Sequence, residues 1–163
     1  MTTVGIIARH KPRTEDIINR FILSRGINDI LAVSVLPGAP YPCEIYIIEE
    51  PVKNLHKILD GKTGIIITAD EFFKMSEPLK SEAYIINCSL STRATVTASS
   101  IDDGHFTYCI QREFSDVNKT PHQPQEFGVK FGGKAEDIYR YLSAVTALIA
   151  CGIPGDKLTD FAF

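Results

Sequence analysis

Glycine is missing from the loop of this chain where it would carry the most meaning. The apolar run Thr3-Val4-Gly5-Ile6-Ile7-Ala8 is followed by Arg9-His10-Lys11-Pro12-Arg13, and Thr14-Glu15-Asp16 then opens a helical pattern. A strand–loop–helix unit of this kind is where a glycine-rich loop wraps phosphates and a Lys-Ser/Thr pair holds the terminal phosphates and Mg²⁺. Such a cradle needs successive N–H groups turned to one point, with some residues at positive φ. Pro12 has no N–H, and Glu15 and Asp16 occupy the first helical turn, where carboxylates sit well but repel an incoming triphosphate. The absence excludes a formal phosphate loop.

Other absences narrow the field further. Cys43, Cys88, Cys109 and Cys151 are widely spaced, with no C-x-x-C pair and no histidine at ligand spacing, which argues against a zinc or redox motif. Each lies in or beside an apolar segment, where a thiol behaves as a small hydrophobe, and a reducing cytoplasm is expected. The net charge of −3 gives no global attraction for nucleic acid or an anionic membrane. Met1-Thr2-Thr3 opens no signal-peptide pattern, and no apolar run approaches a bilayer-spanning length. Leu142 to Ile153, the longest such run, is broken by Ser143, Thr146 and Gly152 and reads as a core helix.

What remains is a globular pattern in 163 residues, enough for one domain with a proper core. Ile17, Ile18, Phe21 and Ile22 form the apolar side of a first helix closed by Arg25-Gly26. Apolar runs at Ile30 to Leu36, Glu44 to Ile48, Thr63 to Thr68 and Ala83 to Asn87 are continuous, as in strands covered on both faces of a parallel sheet. Pro51 to Leu59 and Asp70 to Leu79 have helix length, so strand and helix alternate and an α/β fold is expected. The pattern then changes. Arg93 to Ile101 alternates, Asp103-Gly104 marks a hairpin, and Phe106 to Ile110 supplies its second strand. Glu126 to Phe131 reads as a further strand, Glu136 to Ala150 as a long helix, and Pro154 to Phe161 as a short one.

This order resembles the central, ATP-binding domain of the Mur ligase superfamily, whose members use ATP to join an amino acid or peptide to a carboxylate. The strongest likeness is C-terminal: Gly133-Lys134-Ala135-Glu136-Asp137-Ile138-Tyr139-Arg140-Tyr141-Leu142-Ser143-Ala144, then Cys151-Gly152-Ile153-Pro154 and Phe161, is similar to the family's Gly-x-His-Asn-x-x-Asn helix and Leu-Gly-Ile-Pro turn. Val4-Gly5-Ile6 and the helix from Thr14 to Gly26 look like the family's first strand and helix. The likeness implies residues 1–163 as a single Mur ligase central-domain-like domain. It also implies a three-layer, Rossmann-like and P-loop-like α/β sandwich, with a mostly parallel sheet and an antiparallel hairpin in the C-terminal half. The departures fall on the chemistry. The family's loop glycines align with Ala8 and Lys11, its Lys-Thr pair with Pro12 and Arg13, and its nucleotide-serving His and Asn residues with Glu136, Asp137 and Arg140. Its flanking substrate and C-terminal domains have no counterpart in these residues.

The resemblance and its departures together imply a non-catalytic domain without a cofactor. Its expected role is an accessory or regulatory binding protein in a ligase-related pathway, of cell-wall or cofactor type, with a protein partner or a second copy of itself. The aromatics Tyr139, Tyr141, Phe161 and Phe163 are the expected anchors for such a partner. The alternative is a small nucleotide- or phosphate-binding enzyme or sensor. It would use Arg9, Lys11, Arg13 and Thr14 as an anion site and Asp70, beside Glu71 at a strand end, for Mg²⁺. A third reading is a metabolite binder at the strand C-termini, where His10 also lies.

Overall fold

Strand β1 (Thr2–Ile7) is buried along almost its whole length, and a parallel sheet has grown around it. The computed structural model describes residues 1–8, 13–36, 41–51, 59, 63–68 and 83–163, with only the backbone of Arg13. Helix α1 (Arg13–Arg25) leads from β1 to β2 (Ile30–Ser34), and β3 (Ile45–Ile48), β4 (Ile65–Thr68) and β5 (Tyr84–Asn87) follow. The five strands pair in the order β2-β1-β3-β4-β5, all parallel. The helix patterns at Pro51 to Leu59 and Asp70 to Leu79 fall almost wholly outside the described residues.

The continuous apolar runs have a simple cause: both faces of the sheet are covered. Val4, Ile6, Ile45, Ile47 and Ile67 share one core with Ile18 and Phe21 of α1 and with Leu142 and Val145 of helix α2 (Ile138–Ala150). Ile7, Tyr46, Ile48 and Ile66 point the other way into a second core with Val35 and Cys43. Gly5 lies on this second face because nothing larger fits there. A Cβ would stand 2.7 Å from the Cys43 sulfur and 2.9 Å from the Tyr46 ring. Gly26 closes α1 at φ +63, where Ile27 N–H donates to Ile22 O and Gly26 N–H to Leu23 O, the bonding of a Schellman cap.

Beyond β5 the sheet changes character, as the sequence pattern predicts. Strands β6 (Val96–Asp102) and β7 (His105–Ile110) form an antiparallel hairpin turning at Asp103-Gly104, with Gly104 at φ +86. Short strands β8 (Phe114–Ser115) and β9 (Pro121–His122) make a small second hairpin between β7 and the strand that follows. Strand β10 (Gln125–Lys130) returns alongside β7. A parallel bridge between Cys88 and Val96 joins the two larger sheets. Helix α2, entered through a 3-10 turn at Ala135–Asp137, packs on β3, β4, β6 and α1 and so spans the junction. Helix α3 (Asp156–Thr159) leads to Ala162, which bridges to Lys130. Phe163 is fully buried and stacks on Phe21 at 5.5 Å, so it serves the core and not a surface, whereas Tyr139 is 40% exposed. Among the described residues no helix is long and apolar enough to cross a membrane.

Candidate functional site

The strand order reverses direction between β1 and β3, since β2 lies to one side of β1 while β3, β4 and β5 lie to the other. In sheets of this order the crevice beyond the carboxyl ends of those two strands is where ligands bind. Glu49 immediately follows β3 there, and its N–H donates to Ile7 O across the reversal at 3.1 Å. Thr14, fully buried in the first turn of α1, donates its hydroxyl to Oε1 of Glu49. A carboxyl group of the chain itself thus lies against the N-terminal turn of α1, where the helix dipole favours negative charge.

Burial pushes the Glu49 carboxyl above the usual carboxylate range, and the neighbouring Glu50 adds to this. The Thr14 hydroxyl and the Arg140 guanidinium pull it back down. Arg140 also forms an ion pair at 2.8 Å with Asp137, three residues earlier at the N-cap of α2. Two polar pairs, Thr14 with Glu49 and Arg140 with Asp137, thus lie between the end of β3 and the start of α2, and the charge of Arg140 is felt at Glu49.

The second pair lines a cleft of about 350 Å³ between α1 and α2, together with Asp16, Arg20, Gly133 and Tyr141. Two guanidinium groups and two carboxylates give it balanced charge. Arg20 Nη2 donates to Ala162 O at 3.4 Å, which ties the last strand segment to α1. A Cβ on Gly133 would stand 2.5 Å from the Tyr141 ring, so any larger residue there would displace that ring.

The sequence candidates distribute unevenly over this geometry. Thr14 is in the site. Arg13 opens α1, while Arg9, His10, Lys11, Asp70 and Glu71 lie outside the described residues. Asp137 and Arg140, which occupy positions of the family's nucleotide motif, line the cleft as partners of one another. Glu49 and Arg20 were not singled out from sequence. Glu49 carries a signal like that of Asp70, an acid close after an apolar strand-like run. Asp103 is a turn residue, and His105 lies across Gly128, where a Cβ would stand 2.7 Å from Nε2. His122 contacts Asp116 at 3.3 Å. No group of three or more metal-ligating side chains occurs among the described residues.

A second cavity, about 470 Å³, opens at the opposite end of the sheet near Glu44, Tyr84, Glu113, Asp116 and Lys119. Its acids hold loops in place. Asp116 Oδ1 accepts the N–H groups of Asn118 and Thr120, and Glu44 accepts that of Thr3. The cysteine thiols are equally structural, with none in a disulfide and with burial pushing Cys88 up to about 12. Compared with known proteins, the chain matches no family model and no curated protein.

Proposed function

We propose that this chain is a non-catalytic, Mur-ligase-like domain that acts by binding and not by phosphoryl chemistry. Its role in this reading is that of an accessory or regulatory protein in a ligase-related pathway of the cytoplasm. Its finer architecture would be the three-layer, Rossmann-like sandwich of that family, with helices on both faces of the parallel sheet. The two apolar cores on opposite faces support that architecture. The absence of any disulfide among the four cysteines supports the compartment.

One observation carries the functional part: the bond from Thr14 to Glu49. A hydroxyl in the first turn of the first helix is what a phosphate site uses to reach the metal. Here that hydroxyl is taken by a carboxylate, which is itself an anion at the dipole's positive end. A triphosphate entering the same place would meet Glu49, Glu15 and Asp16 and would have to displace an internal partner. The residues in view do not fit ATP–Mg²⁺.

Thermal unfolding with and without millimolar Mg-ATP tests the reading. A ligand at a hundredfold excess over its Kd stabilises the folded state by about 2.7 kcal/mol, or several degrees in Tm for a chain of this size. No saturable shift is expected. A saturable shift that disappears in Arg9→Ala/Lys11→Ala would overturn the proposal in favour of a nucleotide or phosphate sensor built on Arg9, Lys11 and Arg13.

A further inference from the structure

Among the described residues, the outer edge of β2 is unlike those of β5, β6 and β10. Strand β6 is blunted by a bulge between Ser99 and Asp102, with Ser100 at φ +48. Strand β10 carries Glu126 and Lys130 and is bridged at its end by Ala162. Strand β5 runs into the Cys88–Val96 bridge, and Tyr84 at its start donates its hydroxyl to Glu113 O. Bulges, charges and covering segments are the usual means of preventing edge-to-edge pairing. Strand β2 reads Ile30-Leu31-Ala32-Val33-Ser34, with no charge, proline, glycine or bulge. Among the described residues no strand pairs with its outer side.

The hydrogen-bonding groups on that edge follow from alternation. Asp29 O accepts from Thr2 N–H and Val35 N–H donates to Ile6 O, so the odd-numbered residues face β1. Ile30, Ala32 and Ser34 therefore turn their N–H and C=O groups outward. The side chain of Asn19 reaches the Ala32 carbonyl only at 3.5 Å, which leaves that oxygen a second lone pair. Above the edge, Glu15 accepts the Ser34 hydroxyl, and Leu23, 80% exposed, continues the i, i+4 line through Glu15 and Asn19 on α1. Below it lie Leu31, 36% exposed, and half-buried Val33.

We propose that the β2 edge is a self-association surface, on which two copies pair antiparallel about a two-fold axis at Ala32 to form one continuous sheet. The strand suits a copy of itself. With Ala32 on the axis, Ile30 and Ser34 of opposite copies exchange hydrogen bonds, and Leu31 meets Val33 in the close, non-hydrogen-bonded position. The arrangement uses the full length of β2, places the smallest side chain at the centre and brings no charge within the strands to the seam. Isologous contact of this kind is the commonest route to a closed dimer. The proposal is independent of the ligase-like reading, since it uses neither Thr14 nor Glu49.

Light scattering on the full chain at micromolar concentration is expected to give twice the 18.1 kDa chain mass. Leu31→Lys places a gatekeeping charge at the seam, and Ser34→Pro deletes an outward N–H that only a partner would use. Each is expected to weaken association at least tenfold while circular dichroism keeps the wild-type form. The pair Leu31→Cys/Val33→Cys checks the register without depending on those variants. Directly opposed non-hydrogen-bonded positions lie about 4.5 Å apart at Cα, within disulfide range, so a reducible covalent dimer should form under oxidation. A wild-type monomer, a dimer indifferent to both single variants, or a dimer that fails to cross-link would each overturn the proposal.

Discussion

Thr14 and Glu49, 35 residues apart in the chain, meet through a hydrogen bond that joins the first turn of α1 to the end of β3. Its energetic consequence follows from the burial of the carboxyl group. The folded state raises the affinity of Glu49 for a proton, so folding binds the proton more tightly than unfolding does. Stability from this group is then fully present below the unfolded carboxylate range and is lost as pH rises through the raised folded value.

Glu49→Gln keeps the acceptor for Thr14 and removes the buried charge. The variant should therefore melt higher than wild type at neutral pH and converge with it as pH falls towards 4. A gain of roughly 1 kcal/mol would appear as about 2–4 °C in Tm. Melting curves across pH 4 to 8 check this, and a variant that falls progressively further below wild type as pH rises would show that the ionised carboxylate is held favourably by Arg140.

Thr146 sits at the centre of a buried polar cluster in α2. Its hydroxyl donates to Leu142 O at 2.7 Å and accepts from the Tyr108 hydroxyl at 3.0 Å and from the Cys88 thiol at 3.4 Å. Thr146→Val preserves shape but strands the Tyr108 hydroxyl, fully buried between sheet and helix. A loss of about 2 kcal/mol is expected. Adding Tyr108→Phe should then cost little or restore stability, since removing both partners avoids the unsatisfied group. Urea titrations of the two single variants and the double variant measure the coupling; strict additivity would count against the cluster.

Gly5 supplies a steric test. It lies in the interior strand β1, with Cys43, Tyr46 and Val35 all within 3.0 Å of the place a Cβ would take. Gly5→Ala should destabilise by about 1–3 kcal/mol through overpacking. Cys43→Ala removes the closest neighbour and should offset part of that loss in the double variant. A neutral Gly5→Ala would mean that the second core has room to spare.

How much of this was legible in the sequence depends on distance along the chain. Ile65-Ile66-Ile67 announces a strand because successive residues are buried on opposite faces of the sheet, and Asp103-Gly104 announces its hairpin because only local torsions are involved. The end of α1 is read from Gly26 for the same reason. The Thr14–Glu49 bond was not legible, since it depends on β3 lying beside β1, and strand order is a long-range fact. Thr146 looked like an interruption of an apolar helix until Tyr108 and Cys88, on β7 and beside β5, were seen to close around it. The hairpin of β8 and β9 was hidden because strands of two residues carry no periodicity, and its geometry is fixed by the carboxylate of Asp116.

The two terminal phenylalanines separate a core role from a surface one. Phe163 is 1% exposed, stacks on Phe21 with ring planes 10° apart, and is held by its backbone, which donates to Lys130 O and accepts from Gly132 N–H. Phe161 meets both rings edge-on and is only half buried. Phe163→Ala opens a cavity between α1 and the end of β10 and should cost about 3–5 kcal/mol. Phe161→Ala, which removes one edge contact and less burial, should cost clearly less. If the two were equal, the stacking on Phe21 would not be the main contact holding this segment. If Phe161→Ala left stability intact but abolished dimer formation, association would run through α3 and its neighbours, and the β2 edge would lose its claim to the seam.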